Sequence, residues 1–187
     1  MCCSYIIALT TLNALILYLF IGPRFKDMVT NHSKRSQSSI QPRSRWILDA
    51  CFVIDLLQKP SNEKEKIATE ACARAFETIQ AEGATVFLPE VCVAEASYFL
   101  KKQGVEYRLL DAILRGAVII VSMEMGNWQR SKELFDLYAS RHGMSIPDCC
   151  LVSIAETMKI INLGTLDYRH FQCLVKTKHT DMFNIIP

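Results

Sequence analysis

The chain has 187 residues, half of them hydrophobic, enough to bury one sizeable core and short enough to read as one folded domain with additions. Seven glycines, six prolines and 21% charged residues exclude wholesale disorder and low-complexity fibres. Six of the 21 basic residues but only one of the 19 acids precede Trp46, so the rest carries 15 basic and 18 acidic side chains, a net of −3. From Trp46 onward the chain lacks the basic footprint of most nucleic-acid binders, and any such chemistry there must lean on bound cations and local patches.

No charged side chain occurs between Met1 and Pro23, and Tyr5 to Gly22 is a nearly unbroken apolar run. It sits at the short edge of the about 20 residues needed to span a bilayer. It lacks the basic n-region and small-residue cleavage site of a secretory signal. Two readings of residues 1–22 stand: a membrane anchor, or a mis-assigned start with translation from Met28. As an anchor, the positive charges that follow it would keep the domain on the cytoplasmic side. Residues 23–45 are basic and polar, without hydrophobic periodicity, and read as a linker. The eight cysteines contain no C-x-x-C pair, so they spell out neither a zinc site nor a redox motif. Reduced thiols in a cytoplasmic domain are the expectation.

Ordered structure is predicted from 46 to 187. Trp46 to Asp49 reads as a buried strand ending in a carboxylate, followed by a short helix through Leu57. Asn62 and Glu65 form a capping-box start for a helix through Glu82, with Ile67, Ala71, Ala75 and Ile79 on its apolar face. Thr85 to Leu88 is a second strand, and Pro89 suits the first turn of a helix running to about Lys102. A further helix covers Val105 to Arg115, and Ala117 to Val121 gives a third strand. Asn127 to His142 is predicted as an amphipathic helix with Trp128, Leu134, Phe135 and Tyr138 on its apolar side. Ser145 caps a helix to Lys159, Ile160 to Leu166 gives a fourth strand, and Phe183 to Ile186 a candidate fifth. Strands alternating with helices of this length imply a three-layer α/β/α fold around a parallel sheet of four to five strands.

In such sheets ligands collect at the carboxyl ends of the strands. Asp49 and Asp167 sit at two such ends. Asp148 follows the helix cap Ser145, where the helix dipole favours an anion. Glu95 lies within a helix between Ala94 and Ala96. Each acid alone has a plain structural explanation: a cap, a turn or a solvated side chain. Four acids in one crevice, without cations, repel one another. Oxygen-rich clusters of this kind suit a hard divalent ion.

The segments around the acids are ILDACFVIDLL (47–57), LPEVCVAEASYFL (88–100), SIPDCCLVSIAE (145–156) and TLDYRHF (165–171). They resemble the PIN-domain family, most closely its VapC-like branch of bacterial toxins, from Trp46 to the C-terminus. The resemblance implies a PIN-like nuclease domain over 46–187 in which Asp49, Glu95, Asp148 and Asp167 form a catalytic quartet holding Mg²⁺ or Mn²⁺. It implies an endoribonuclease hydrolysing RNA phosphodiester bonds, with Thr165 at a polar position near the site; Arg169 and His170, just past Asp167, read either as phosphate contacts or as a salt-bridged surface pair. Protein partners consistent with it are a small antitoxin and a second copy of the chain; a membrane enters only if residues 5–22 anchor the chain. One departure stands out: Cys51 occupies a position where family members often carry Ser, Thr or Asn. A thiol is the weaker hydrogen-bonding group, so the alternative reading is a PIN-like module that binds RNA or a partner protein and cuts slowly or not at all. Cys51 also fills the slot where a haloacid-dehalogenase-like phosphatase needs its second aspartate. A response-receiver domain would need an aspartate after the third strand, and Ala117 to Ser122 supplies none.

Overall fold

The computed structural model describes residues 44–176 and 184–186, with side chains over 44–174 and 185–186. The apolar run and the linker up to residue 43 lie outside the described residues, and with them the anchor and start-site readings. Among the described residues no helix is long and apolar enough to cross a membrane.

Strand β1 (Arg45–Leu48) carries Trp46, Ile47 and Leu48 consecutively in the interior. Burial of successive residues is what a strand covered on both faces requires. It pairs in parallel with β2 (Thr85–Pro89) on one side and with β4 (Asn162–Gly164) on the other, Ile47 standing opposite both Phe87 and Leu163. Strands β3 (Ile119–Val121) and β5 (Asn184–Ile186) complete an all-parallel sheet in the order β3-β2-β1-β4-β5. Among the described residues seven helices flank it: α1 (Ala50–Leu57), α2 (Glu63–Ala81), α3 (Glu90–Lys102), α4 (Tyr107–Leu114), α5 (Met125–His142), α6 (Ile146–Met158) and α7 (Tyr168–Lys176). The architecture is the expected three-layer α/β/α sandwich, with α1 packed on α2 and α3, and α5 on α6.

The strand order places the chain's reversal between β1 and β4. From β1 the chain moves outward to β2 and β3, then returns to the other flank of β1 for β4 and β5. The chain therefore runs from β1 and from β4 toward opposite edges of the sheet, and the carboxyl ends of these two strands form the crevice where open parallel sheets bind ligands. The seam beneath it is tight. A Cβ on Gly164 would stand 2.6 Å from Leu48 Cδ2, so only glycine lets β4 lie this close to β1 and α1.

Several details differ from expectation. The buried face of α2 is Thr69, Cys72, Ala73, Phe76 and Ile79, whereas Ile67 is 58% exposed. Steps of four residues drift about 40° each around a helix, so the stripe that ends inside at Ile79 stands out in solvent three steps earlier, at Ile67. The return bond of the capping box goes to Ser61: Glu65 accepts from Ser61 N and Oγ at 2.7 and 2.9 Å. Pro89 closes β2 and caps α3 rather than lying in its first turn. In α5 Trp128 and Phe135 face solvent, while Asn127 and Ser131 join Leu134 and Tyr138 inside. Asn127 is affordable there because its amide donates to Ser153 Oγ and Thr157 Oγ1 of α6 at 3.3 and 3.0 Å. Arg130 adds a two-pronged pairing with Glu156 at 2.8 and 3.1 Å. These bonds fix α6, which carries Asp148. Helix α7 was not foreseen.

Candidate active site

Asp49 is the single residue between β1 and α1, and its peptide N–H still donates to Gly164 O at 2.9 Å as a continuation of the β1–β4 ladder. The backbone thus leaves the sheet with the carboxyl turned into the crevice floor, 5% exposed. Asp49 Oδ1 caps α1 by accepting from Ala50 N at 2.6 Å. Oδ2 accepts from Thr165 Oγ1 at 2.7 Å and from Cys51 Sγ at 2.9 Å. Leu166 N donates to Cys51 Sγ at 3.2 Å, and Asp167 N to Thr165 Oγ1 at 3.0 Å. The loop after β4 is therefore stitched to the turn after β1, and Cys51 makes the polar contacts its position calls for despite being a thiol.

Asp148 occupies the N3 position of α6, where Ser145 N and Oγ both donate to its Oδ2 at 2.7 and 2.8 Å. This reciprocal cap fixes the side chain, leaving it 10% exposed. Glu95 projects from the middle of α3 and is partly exposed. Burial, then the charges of Asp49 and Asp148, hold its carboxyl above the usual range. Burial likewise raises Asp49, helped by the charge of Asp148 and opposed by the bonds from Cys51, Thr165 and Ala50. Asp49 and Glu95 thus stand close enough to Asp148 for its charge to oppose their ionisation. Cys92, buried on α3 beneath them, was not singled out from sequence. Burial, followed by the charges of Asp49, Glu95 and Asp148, keeps it a thiol rather than a thiolate.

Asp167 joins the group from the loop between β4 and α7. Its Oδ2 lies 3.0 Å from His170 Nδ1, and the same nitrogen lies 3.3 Å from Asp148 Oδ2. Arg169 is exposed on the first turn of α7. The fold thus gathers Asp49, Glu95, Asp148, Asp167, Thr165 and His170 around one crevice. Lys101 and Lys102 extend along α3 into solvent, where Lys102 Nζ lies 4.2 Å from the centre of the Tyr98 ring.

The donor set is one of hard oxygens whose charges repel, which is the chemistry a divalent cation of the magnesium type relieves. Among the described residues no three His, Cys, Asp or Glu side chains already converge on one point as a ligand shell. Magnesium commonly binds through one or two carboxylates, completing its shell with waters and substrate phosphates, so the residues present fit such an ion.

The family model for the PIN domain matches residues 46–174. The chain belongs to the PIN-domain family. Among solved structures it is similar to the VapC20 toxin of Mycobacterium tuberculosis, described as cleaving the sarcin-ricin loop, with a TM-score of 0.55 at 13% identity over 68% of this chain and 94% of that one. A toxin–antitoxin complex from Klebsiella pneumoniae aligns at 16% identity over 67% of this chain and 88% of the other, with a TM-score of 0.46. At such identities the likeness is one of fold. No curated protein sequence matches the chain.

Proposed function

We propose that this chain is a metal-dependent endoribonuclease that hydrolyses RNA phosphodiester bonds in the β1–β4 crevice, and that it acts as the toxin of a toxin–antitoxin pair. One observation carries the reading: Asp49 is buried at the reversal point of the sheet, where the charge of Asp148 adds to burial in raising its proton affinity, and the charges of Asp49 and Asp148 add to burial in raising that of Glu95. Carboxylates placed so are costly unless a cation completes them.

Asp49 and Asp148 would hold a Mg²⁺ or Mn²⁺ ion, with Asp167 and Glu95 extending the shell. When bound, such an ion lowers the pKa of a water and neutralises the scissile phosphate. Glu95, its carboxyl already raised, is suited to orient the attacking water and accept its proton. Water then adds to phosphorus as one P–O bond of the RNA backbone breaks, and the departing oxygen takes up a proton. Cys51 and Thr165 hold Asp49 Oδ2 in place, and Arg169 is available to a phosphate. The sequence-level objection to catalysis was Cys51. Its thiol donates to Asp49 as a hydroxyl would, which favours the enzyme over the non-cutting module. A small antitoxin covering the crevice is the expected partner, as the resemblance of the acid-bearing segments to the VapC-like branch implies.

The test is incubation of the full chain and its Asp148→Asn variant with RNA, in Mn²⁺ or Mg²⁺ and in EDTA. Asparagine keeps an oxygen for Ser145, so the cap survives while one carboxylate is lost. Cleavage by the parent only with metal, and none by the folded variant, is the expected result. Equal cleavage in EDTA, or by the variant, contradicts it.

A further inference from the structure

His170 lies on the first turn of α7, three residues beyond Asp167, and its Nδ1 is shared between two carboxylates from different elements. Asp148 Oδ2 belongs to α6 and lies 3.3 Å away; Asp167 Oδ2 belongs to the loop after β4 and lies 3.0 Å away. Two acceptors flanking one nitrogen require that nitrogen to carry a hydrogen. It does so both in the imidazolium and in the neutral Nδ1–H tautomer, so the contact does not depend on the charge of the ring. On its other side the ring rests near Gly143, where an added Cβ would stand 3.4 Å from Nε2. The His170 side chain is 28% exposed, so it has an open side through which to leave.

We infer that His170 is a built-in competitor for the cation: its Nδ1 occupies the place between Asp148 and Asp167 and must release both oxygens when a divalent ion binds them. The inference rests on the metal-site reading proposed above and adds to it a gate. The geometry favours competition over support. Asp148 Oδ2 is already fixed by Ser145 N and Oγ at 2.7 and 2.8 Å. The Asp167 backbone is already fixed by Thr165 Oγ1 at 3.0 Å. The Asp148 carboxyl and the Asp167 backbone are thus held without the imidazole, which stands against the carboxylate oxygens that an ion would otherwise take.

The two roles differ in the sign of one measurable quantity. If His170 competes, deleting the ring strengthens metal binding; if it scaffolds the acids, deletion weakens it. The experiment is calorimetric titration of the full chain with Mn²⁺, without RNA and at fixed pH, for the parent, His170→Ala and His170→Asn. Alanine removes the donor and is expected to lower the Kd by about 3- to 10-fold, the weight of a typical net hydrogen bond. Asparagine places an amide N–H near the position of Nδ1 and is expected to stay close to the parent. An unchanged or higher Kd in folded His170→Ala overturns the inference while leaving the metal site standing. Absence of Mn²⁺ binding in the parent and both variants overturns the metal-site reading, and the gate with it. Should His170→Ala fail to fold, the parent decides the matter: on titration with Mg²⁺ the His170 ring nitrogen resonances are expected to shift as the ring leaves the two carboxylates. Unmoved resonances at saturating Mg²⁺ overturn the gate.

Discussion

The centre of the sheet and its β3 edge are built from the same apolar residue types and behave in opposite ways. In β1 and β4, Ile47, Leu48 and Leu163 are wholly inaccessible, and the strand ends carry Asp49 and Thr165, also buried. In β3, Ile119 and Ile120 are 49% and 41% exposed, and the strand ends without an acid. The contrast locates the chemistry. Asp49 acquires its raised proton affinity because packing keeps water away, and that packing comes from the seam where the strand order reverses. At the edge, solvent would relax any such arrangement.

Packing energetics should reproduce the contrast most strongly. Phe52, fully buried beneath the crevice on α1, is expected to lose about 3–5 kcal/mol on truncation to alanine. Ile120→Thr at the edge is expected to stay within about 0.5 kcal/mol of the parent. Chemical denaturation of the two variants checks both; equal losses would erase the distinction. A gentler probe of the seam is Gly164→Ala, whose Cβ would meet Leu48. Overpacking of that kind costs about 1–3 kcal/mol, again readable by denaturation. Thr165→Val keeps the shape but removes the hydroxyl from Asp49 Oδ2 and Asp167 N. Cleavage or metal affinity should fall about 10- to 100-fold, with the fold retained by circular dichroism.

The smallest expected effect is one of pH. Asp49 and Glu95 have raised proton affinities in the folded chain, so between ordinary carboxylate pKa values, about 4, and the raised ones the native state holds more protons than the unfolded state. Their contribution to stability is thus greatest in acid and declines as pH rises through that window. Glu95→Gln should flatten this slope and slightly raise the melting temperature of the metal-free chain at neutral pH. Saturating Mn²⁺ should cancel the advantage. Parallel melting curves for parent and variant across pH 4–8, measured by differential scanning fluorimetry, would contradict the shift assigned to Glu95.

Sequence made the sheet legible because each strand is a short apolar run punctuated by a helix, and β1 and β4 each terminate toward an acid. It also placed Ser145 and Asp148 correctly as a cap, since that motif is local. What it missed is long-range. The exposed Trp128 and the buried Asn127 invert the hydrophobicity ranking, and only the partners Ser153 and Thr157 on another helix explain the inversion. Helix α7 is not announced by the sequence, because its polar first turn, Tyr168 to His170, offers no apolar stripe of its own. The bonds of Cys51 to Asp49 and Leu166 are likewise invisible until β1 and β4 are adjacent. From sequence Cys51 was a defect; in the fold it is a clasp.

The most direct test of the central claim, that the β1–β4 crevice is a cation-dependent nuclease centre, is anomalous diffraction from crystals of the chain soaked in Mn²⁺. A manganese peak is expected in contact with carboxylate oxygens of Asp49 or Asp148. Manganese bound only elsewhere, or no peak in crystals of a protein that cleaves RNA with Mn²⁺ in solution, would contradict it.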